Sequence, residues 1–519
     1  MSAGRVGGPL LLAVDQGTSA TKALLVDARD GVDARDGVDA RSEVVARASV
    51  PLGCDHPRPG WVEQSADAIW DSVREAVRRV LDGHDPARVA GLALSTQRES
   101  CLLWERSSGR PLGPVIGWQD RRTTPLLDRV AAEPGAGRVR EVTGLPLDPM
   151  FSALKARWLL DTHDPDRVRA RSGELCLGTV DSWLLWCLGG VHVTEAGNAA
   201  RTQLCDIRTR QWDAELLALF GVPREALPRV LSSVGPFPAV RDLPPLREGT
   251  PVAAVLGDSH AALLGHGVSA PGSVKVTYGT GSSVMGLVPG PVPLGDSPLC
   301  LTPAWDDGSQ AAYALEGNIR SSGATVRWLA GLLGTGEGEL SSLAAADSDG
   351  VHIVPAFGGL AAPWWDPGAT GVVSGLTLGS GAAQLARAAL ESVAFQVEDV
   401  VAGIDRAAGT VTTLLADGGP SGDDLLMRIQ ADVSGRLVRR PQVRDASALG
   451  AARLAGRALG LYTARSLPLP PAYDDFRPDP AHSDDERARR VEDWHAAVAR
   501  TLSTRKLGAR PVPGTRPGQ

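Results

Sequence analysis

Asp15 is the first residue of this chain placed to do chemistry. It follows an apolar run at 10–14 and precedes Gln16, Gly17, Thr18 and Ser19, with Lys22 close behind. Such a run reads as a buried strand, and 23–26 reads as its returning partner. Gly17 lets the backbone approach a ligand closely. The N–H groups of this turn, two hydroxyls and an ammonium suit a phosphate. A carboxylate at the strand end suits a hydrated metal ion. The P-loop pattern G-x-x-x-x-G-K-[ST] is absent. A related arrangement recurs at 273–283, SVKVTYGTGSS, where a strand runs into Gly279, Thr280, Gly281, Ser282 and Ser283. Two phosphate hairpins in one chain point to two similar halves holding one nucleotide between them. Three more strand ends carry polar groups: Arg98 and Glu99 beyond 89–94, Asp258 after 253–256, and Asp417, Gly418 and Gly419 after 411–416. Open α/β sheets bind ligands beyond the carboxyl ends of their strands.

Holding five strand ends together takes a large scaffold, and 519 residues are too many for one core. Two large domains are expected. The hydrophobic fraction of 43% and charged fraction of 22% are ordinary for a globular chain. A net charge of −7 without a dense basic run argues against a nucleic-acid surface. No apolar stretch is long enough to span a membrane, and the N-terminal run is too short for a secretory segment and is broken by Asp15. The six cysteines, at 54, 101, 176, 187, 205 and 300, form no C-x-x-C pair. They read as small buried apolar residues in a reducing, cytoplasmic protein.

The elements follow from periodicity. Residues 27–41, DARDGVDARDGVDAR, repeat a six-residue unit between two apolar stretches and read as a lengthened surface loop. A helix follows Trp61, capped by Ser65 or Asp67, with Ile69, Val73, Ala76, Val77 and Val80 on one face. Strands are expected at 89–94, 101–105, 114–118, 253–256, 351–355 and 411–416. Helices are expected within 150–160, 178–188, 261–264 and 384–399, from about Ser321, and near 491–502. The last dozen residues read as disordered.

These motifs together identify a resemblance. VDQGT at 14–18, PGWVEQ at 59–64, TQRES at 96–100, WQDRR at 118–122 and GDSHAALLG at 257–265 resemble the FGGY carbohydrate kinases. So do TYGTG at 277–281, YALEG at 313–317, VPAFGGLAAPWWDP at 354–367 and DGG at 417–419. Within that family the chain is most similar to glycerol kinases, from Leu11 to about Gly460. The resemblance implies an α/β fold with two ribonuclease-H-like domains, as in actin and hexokinase, flanking a catalytic cleft. The expected division is 1–266 on the substrate side, 267–470 on the nucleotide side, and a polar tail, 471–519, with one helix.

The resemblance also implies ATP and Mg2+, transfer of a phosphoryl group to a small polyol or sugar, and a homo-oligomer, dimer or tetramer. By family position Asp258 is the catalytic base and Asp15 holds magnesium through water. Thr18, Ser19 and Lys22 contact the transferred phosphate, and Gln16 and Gly17 belong to the same nucleotide-binding turn. Gly279, Thr280, Gly323, Arg327, Gly419 and Asp423 lie along the nucleotide. Arg98, Glu99 and Trp118 hold the acceptor. Three acceptor-side positions depart from the glycerol-kinase pattern: Met150 for tyrosine, Ser259 for glutamine and Ser283 for phenylalanine. They predict an acceptor of about four or five carbons, since lost hydrogen bonds and added space disfavour a triol. The rival readings are a glycerol kinase with compensating neighbours and an actin-like switch or inactive kinase. Retention of Asp258, Asp15 and the Arg98–Glu99 pair argues against an inactive kinase, and the short polar tail after Leu467 argues against a chaperone-like switch with an added peptide-binding domain.

Overall fold

The computed structural model describes residues 8–28, 43–295, 297–442, 445–461 and 472–503. Apart from Asp27 and Ala28, the tandem repeat lies outside them, as do the last dozen residues.

Two sheets carry the molecule. The first is built from five strands, which in chain order are Leu10–Gln16, Ala20–Asp27, Glu43–Pro51, Val89–Thr96 and Val252–Gly257. Their order across the sheet is third, second, first, fourth, fifth. The first three strands are antiparallel neighbours; the fourth lies parallel to the first and the fifth parallel to the fourth. The second sheet has seven strands, and its central five repeat that plan. Ser273–Tyr278 is its first strand, Ser282–Val288 the second and Ala311–Ile319 the third, all antiparallel. Thr413–Asp417 and Leu437–Pro441 follow in parallel on the other side. Each phosphate hairpin is thus the turn between strands one and two of its own half.

Both faces of the first sheet are covered, which is why 10–14 is apolar without alternation. Leu10, Leu12 and Val14 pack on Ile69, Val73 and Val77 of the helix Ala66–Val80. That helix begins at the expected place because the Ser65 side chain accepts from the Ala68 N–H at 3.2 Å. Leu11, Ala13 and Leu256 face the other way, against Leu449, Ala452 and Ala455 of the helix Ala446–Ala458 and against Met285 and Leu415 of the second sheet. A helix from late in the chain therefore covers the first sheet, and this shared core forms the floor between the halves. The second sheet packs on Val393, Val397, Val400 and Ile404 of the 27-residue helix Ala382–Ala408.

Several boundaries differ from expectation. Gly178 lies near the end of the strand Leu175–Thr179, and the helix starts only at Val180. Leu175, Cys176 and Leu177 are a buried apolar run paired with Cys101–Glu105, and this pairing overrides the helical pattern. The helix expected from about Ser321 runs Gly323–Leu333. The C-terminal helix, Asp484–Ala499, begins earlier than expected because Ser483 and Glu486 form a capping box. Its Trp494 is buried, stacked on Phe395 at 5.5 Å, and donates to Asp399 Oδ2 at 2.9 Å. Tyr473–Phe476 adds an edge strand to the second sheet. Among the described residues no helix is long and apolar enough to cross a membrane.

Candidate active site

The carboxyl ends of the first-sheet strands bring Asp15, Arg98, Glu99 and Asp258 together. Asp15 lies at the end of the first strand beside Ser95 of the fourth, whose hydroxyl donates to Asp15 Oδ1 at 2.7 Å. Burial, reinforced by the neighbouring charge of Asp258, pushes the Asp15 carboxyl up to about 6. Asp258 opens the helix Asp258–Gly265. Its Oδ1 accepts from the Ser259 N–H at 2.6 Å and faces Arg98 Nε at 3.4 Å. Oδ2 has no donor among the described residues, and the side chain is 38% exposed.

Arg98 and Glu99 are not primarily each other's partners. Their closest charged atoms are 4.0 Å apart. Arg98 donates to Glu316 Oε2 at 2.7 Å, while Arg201 donates to Glu99 Oε1 at 2.6 Å and pairs with Glu316 Oε1 at 2.5 Å. Glu316 sits on the second sheet and is fully buried. Burial works to raise its carboxyl, but the guanidiniums of Arg201 and Arg98 overcome this and hold it at about 2. Arg98 also lies 3.3 Å from His260 Nε2. A guanidinium only donates, so Nε2 accepts and the imidazole proton sits on Nδ1. Burial, then the positive charge of Arg98, holds His260 well below the usual imidazole range, hence neutral.

Glu99 has φ 62°, a left-handed backbone held from outside. Ser152 Oγ donates to its carbonyl at 2.9 Å and Lys155 Nζ at 3.4 Å. Lys155 also donates to the Met150 carbonyl, and burial lowers its ammonium to about 8. Trp118 closes this side, its indole N–H donating to Thr18 Oγ1 at 3.0 Å, so this wall of the cleft and the first hairpin share a bond. Gln16 is buried, its side chain accepting from Gln97 at 3.1 Å and donating to the Gly17 carbonyl at 2.8 Å. Ser19 is exposed at the tip. Lys22 pairs with Asp445 at 3.4 Å. Met150, Ser259 and Ser283 line the same cleft, with Ser259 Oγ 3.4 Å from Ser283 Oγ.

In the second half, Gly279 N–H donates to the Gly281 carbonyl at 2.8 Å, closing the second hairpin. The N–H groups of Ser322 and Ala324 reach the Thr280 carbonyl, and Gly323 N–H reaches Gly279 at 2.9 Å, so this helix start is pinned to the hairpin. Arg327, one turn on, is mostly exposed and pairs with Glu337 at 3.1 Å. Around Gly419 there is open space, whereas a Cβ on Gly418 would lie 1.9 Å from the Tyr278 carbonyl oxygen. Asp423 caps the helix Asp424–Ser434 through the Leu425 N–H at 2.9 Å and accepts from Ser341 Oγ.

Arg201, Glu316, Lys155 and Asp445 escape a reading based on strand ends. Glu316 had a signal as the acidic residue of YALEG, and Lys155 as part of the family-like run DPMFSALKARWLLD at 148–161; Arg201 follows a short helix with no local pattern to mark it.

The comparisons with known proteins agree with this geometry. Residues 10–265 match the N-terminal domain of the FGGY family of carbohydrate kinases, and residues 274–459 its C-terminal domain. The chain is 42% identical over 502 residues to a glycerol kinase of Alkalilimnicola ehrlichii, covering 94% of this chain and 98% of that one. It is 43% identical over 503 residues to one of Aromatoleum aromaticum, with 94% and 98% covered. Among solved structures, glycerol kinase of Plasmodium falciparum with ADP superposes with a TM-score of 0.84 at 26% identity, covering 96% of this chain and 99% of that one. Xylulose kinase of Rhodospirillum rubrum gives 0.82 at 26%, covering 95% and 98%. Matched in both halves, with its strand-end carboxylates, buried arginines and hairpins gathered at one cleft, the chain belongs to the FGGY family of carbohydrate kinases and is an ATP-dependent phosphotransferase acting on an alcohol group.

Proposed function

We propose that Asp258 is the general base of this kinase and that Arg98 and Glu99 hold the hydroxyls of a small polyol or sugar beside it. The observation that carries the reading is the free Oδ2 of Asp258, open to the cleft while Oδ1 is fixed by Ser259 and Arg98. A carboxylate so held accepts the proton of the acceptor hydroxyl as its oxygen bonds to the γ-phosphorus and the β–γ bridge breaks, releasing ADP. Thr18, Ser19 and Lys22 would meet the transferred phosphate, with Gln16 and Gly17 shaping the turn, since the Gly17 N–H is spent on the Ala20 carbonyl at 3.0 Å. Gly279 and Thr280 would meet the remaining phosphates, and Gly323, Arg327, Gly419 and Asp423 the rest of the nucleotide. Of these, Gly419 has the open surroundings a flat ring needs, whereas Arg327 and Asp423 would have to give up present partners.

Magnesium fits Asp15. Its carboxyl is pushed up chiefly by burial and next by the charge of Asp258, with Ser95 and Lys22 opposing, and a cation beside it would offset both causes. No group of three or more protein ligands exists among the described residues, in keeping with an ion held by one carboxylate, water and phosphates. The ion would supply neutralisation of phosphate charge.

The relatives are named glycerol kinases, so glycerol is the reference acceptor. Ser259 and Ser283, adjacent and hydroxyl-bearing, favour a second reading in which an acceptor of four or five carbons is preferred. The test of the base is Asp258→Asn. Turnover falls about 10²–10⁴-fold while nucleotide binding, read by calorimetric titration, is retained. Near-normal kcat with the best acceptor would remove Asp258 from that role.

A further inference from the structure

Ser283 has a polar neighbour across the sheet. Asn318 is its register partner across the antiparallel strands Ser282–Val288 and Ala311–Ile319. Residues directly opposite in such a pair project from the same face. A polar row therefore leads away from the general base: Asp258, Ser259, Ser283 at 3.4 Å from Ser259, then Asn318. It ends at Met150, whose sulfur lies 3.9 Å from Asn318 Nδ2. All four residues beyond Asp258 are half-buried in the cleft wall.

The Asn318 amide is under-used. It offers two donors and a carbonyl acceptor. Its one side-chain hydrogen bond among the described residues goes to a thioether, a weak acceptor. Alternation along the strand also fixes what lies on either side. Glu316, two residues back, is buried under the Arg98 guanidinium, and Arg320, two residues on, pairs with Asp148 at 3.3 Å. Asn318 thus stands between that buried pair and the rim, one step beyond the hydroxyls that Arg98 and Glu99 would hold.

We propose that Asn318 is a specificity-determining residue that hydrogen-bonds a hydroxyl beyond the third carbon of the acceptor, selecting a polyhydroxylated chain of about four or five carbons. The proposal rests on the reading of Asp258 and the Arg98–Glu99 clamp as the acceptor site.

The experiment compares kcat/KM for glycerol, erythritol, ribitol, xylitol and D-xylulose in the full chain and in Asn318→Ala and Ser283→Phe. The quantity read is the ratio of the best four- or five-carbon acceptor to glycerol, from which losses of folded protein cancel. The ratio falls about three- to tenfold in Asn318→Ala, the size of one neutral hydrogen bond. It falls at least as far in Ser283→Phe, which fills the space. Should Asn318→Ala not fold, Asn318→Ser gives the same ratio with a shorter polar group. An unchanged ratio, or a wide preference of the unmodified chain for glycerol, overturns the assignment of Asn318 alone, provided turnover still depends on Asp258. Absence of ADP formation with every acceptor, or normal turnover by Asp258→Asn, overturns the parent reading and this one with it.

Discussion

Glu316 carries more of the acceptor site than its distance from the first sheet suggests. Its two oxygens hold two guanidiniums, one of which sets Arg98 beside Asp258 and the other Arg201 beside Glu99. Glu316→Gln keeps the shape and removes the charge. Breaking a buried pair in this way costs about 3–5 kcal/mol, because the partners stay buried. We expect that loss in urea denaturation, together with a rise in KM for the acceptor larger than any change in KM for ATP. Equal, small changes in both constants would mean that Glu316 is ballast. At this scale the sequence discloses groups that end strands, because a carboxyl end of a parallel strand is a place with a known use. It does not disclose Arg201, which is defined by two acids 102 and 115 positions away in the chain. Nor does it disclose the role of Lys155, which holds the carbonyls of Glu99 and Met150.

Two helices show what one atom is worth at the level of elements. Asp258–Gly265 and Ala446–Ala458 touch backbone to backbone. A Cβ on Gly450 would lie 1.7 Å from the Ala261 carbonyl oxygen, and one on Gly265 1.9 Å from that of Ala446. Gly450→Ala would force the helices apart and loosen Asp258, the first residue of one of them. We expect a loss of about 1–3 kcal/mol in the denaturation free energy, with a lower kcat. Full stability with normal turnover would show that the contact yields freely. The C-terminal helix offers a second test. His495 bonds to Asp399 Oδ1 at 2.7 Å, and this bond, opposed by partial burial, raises the imidazole above its ordinary 6.5. A raised histidine contributes stability that is full below 6.5 and fades as pH climbs through the raised value. His495 is 47% exposed, so the effect is screened and read as a slope. As pH rises from about 6 through the raised value, the unmodified chain should lose more stability than His495→Gln, and identical slopes would refute the link. Elements with a strong face, such as Ala66–Val80, are legible in the sequence because periodicity and a serine cap agree. Leu175–Thr179 is not, because its strand state comes from pairing with Cys101–Glu105, a partner distant in the chain.

The whole molecule is two copies of one strand plan, and the pair of glycine hairpins makes that repetition legible in the amino-acid sequence. The tandem repeat sits outside that plan. It leaves at Asp27 and returns at Glu43, which are register partners, so the strands around it are already closed. Removal of one DARDGV unit should leave the melting temperature and KM nearly unchanged, since closure entropy shifts by only ~0.6 kcal/mol per doubling of a loop. A large drop in melting temperature would mean that the insert packs against the body. What the sequence conceals at this scale is the path of the chain between the halves. It leaves the first sheet after Gly257 and the first half after the helix Asp258–Gly265, comes back at Ala446 to lay a helix over Leu11, Ala13 and Leu256, and departs again after Ala458. The first half is thus not a self-sufficient length of polypeptide. Cut at residue 267 and made alone, the leading fragment would present the bare underside of its sheet and precipitate. Made together with the trailing fragment, it would recover a cover, and activity, by fragment complementation. The covalent chain and the folded unit have different borders, and the helix Ala446–Ala458 is where they part.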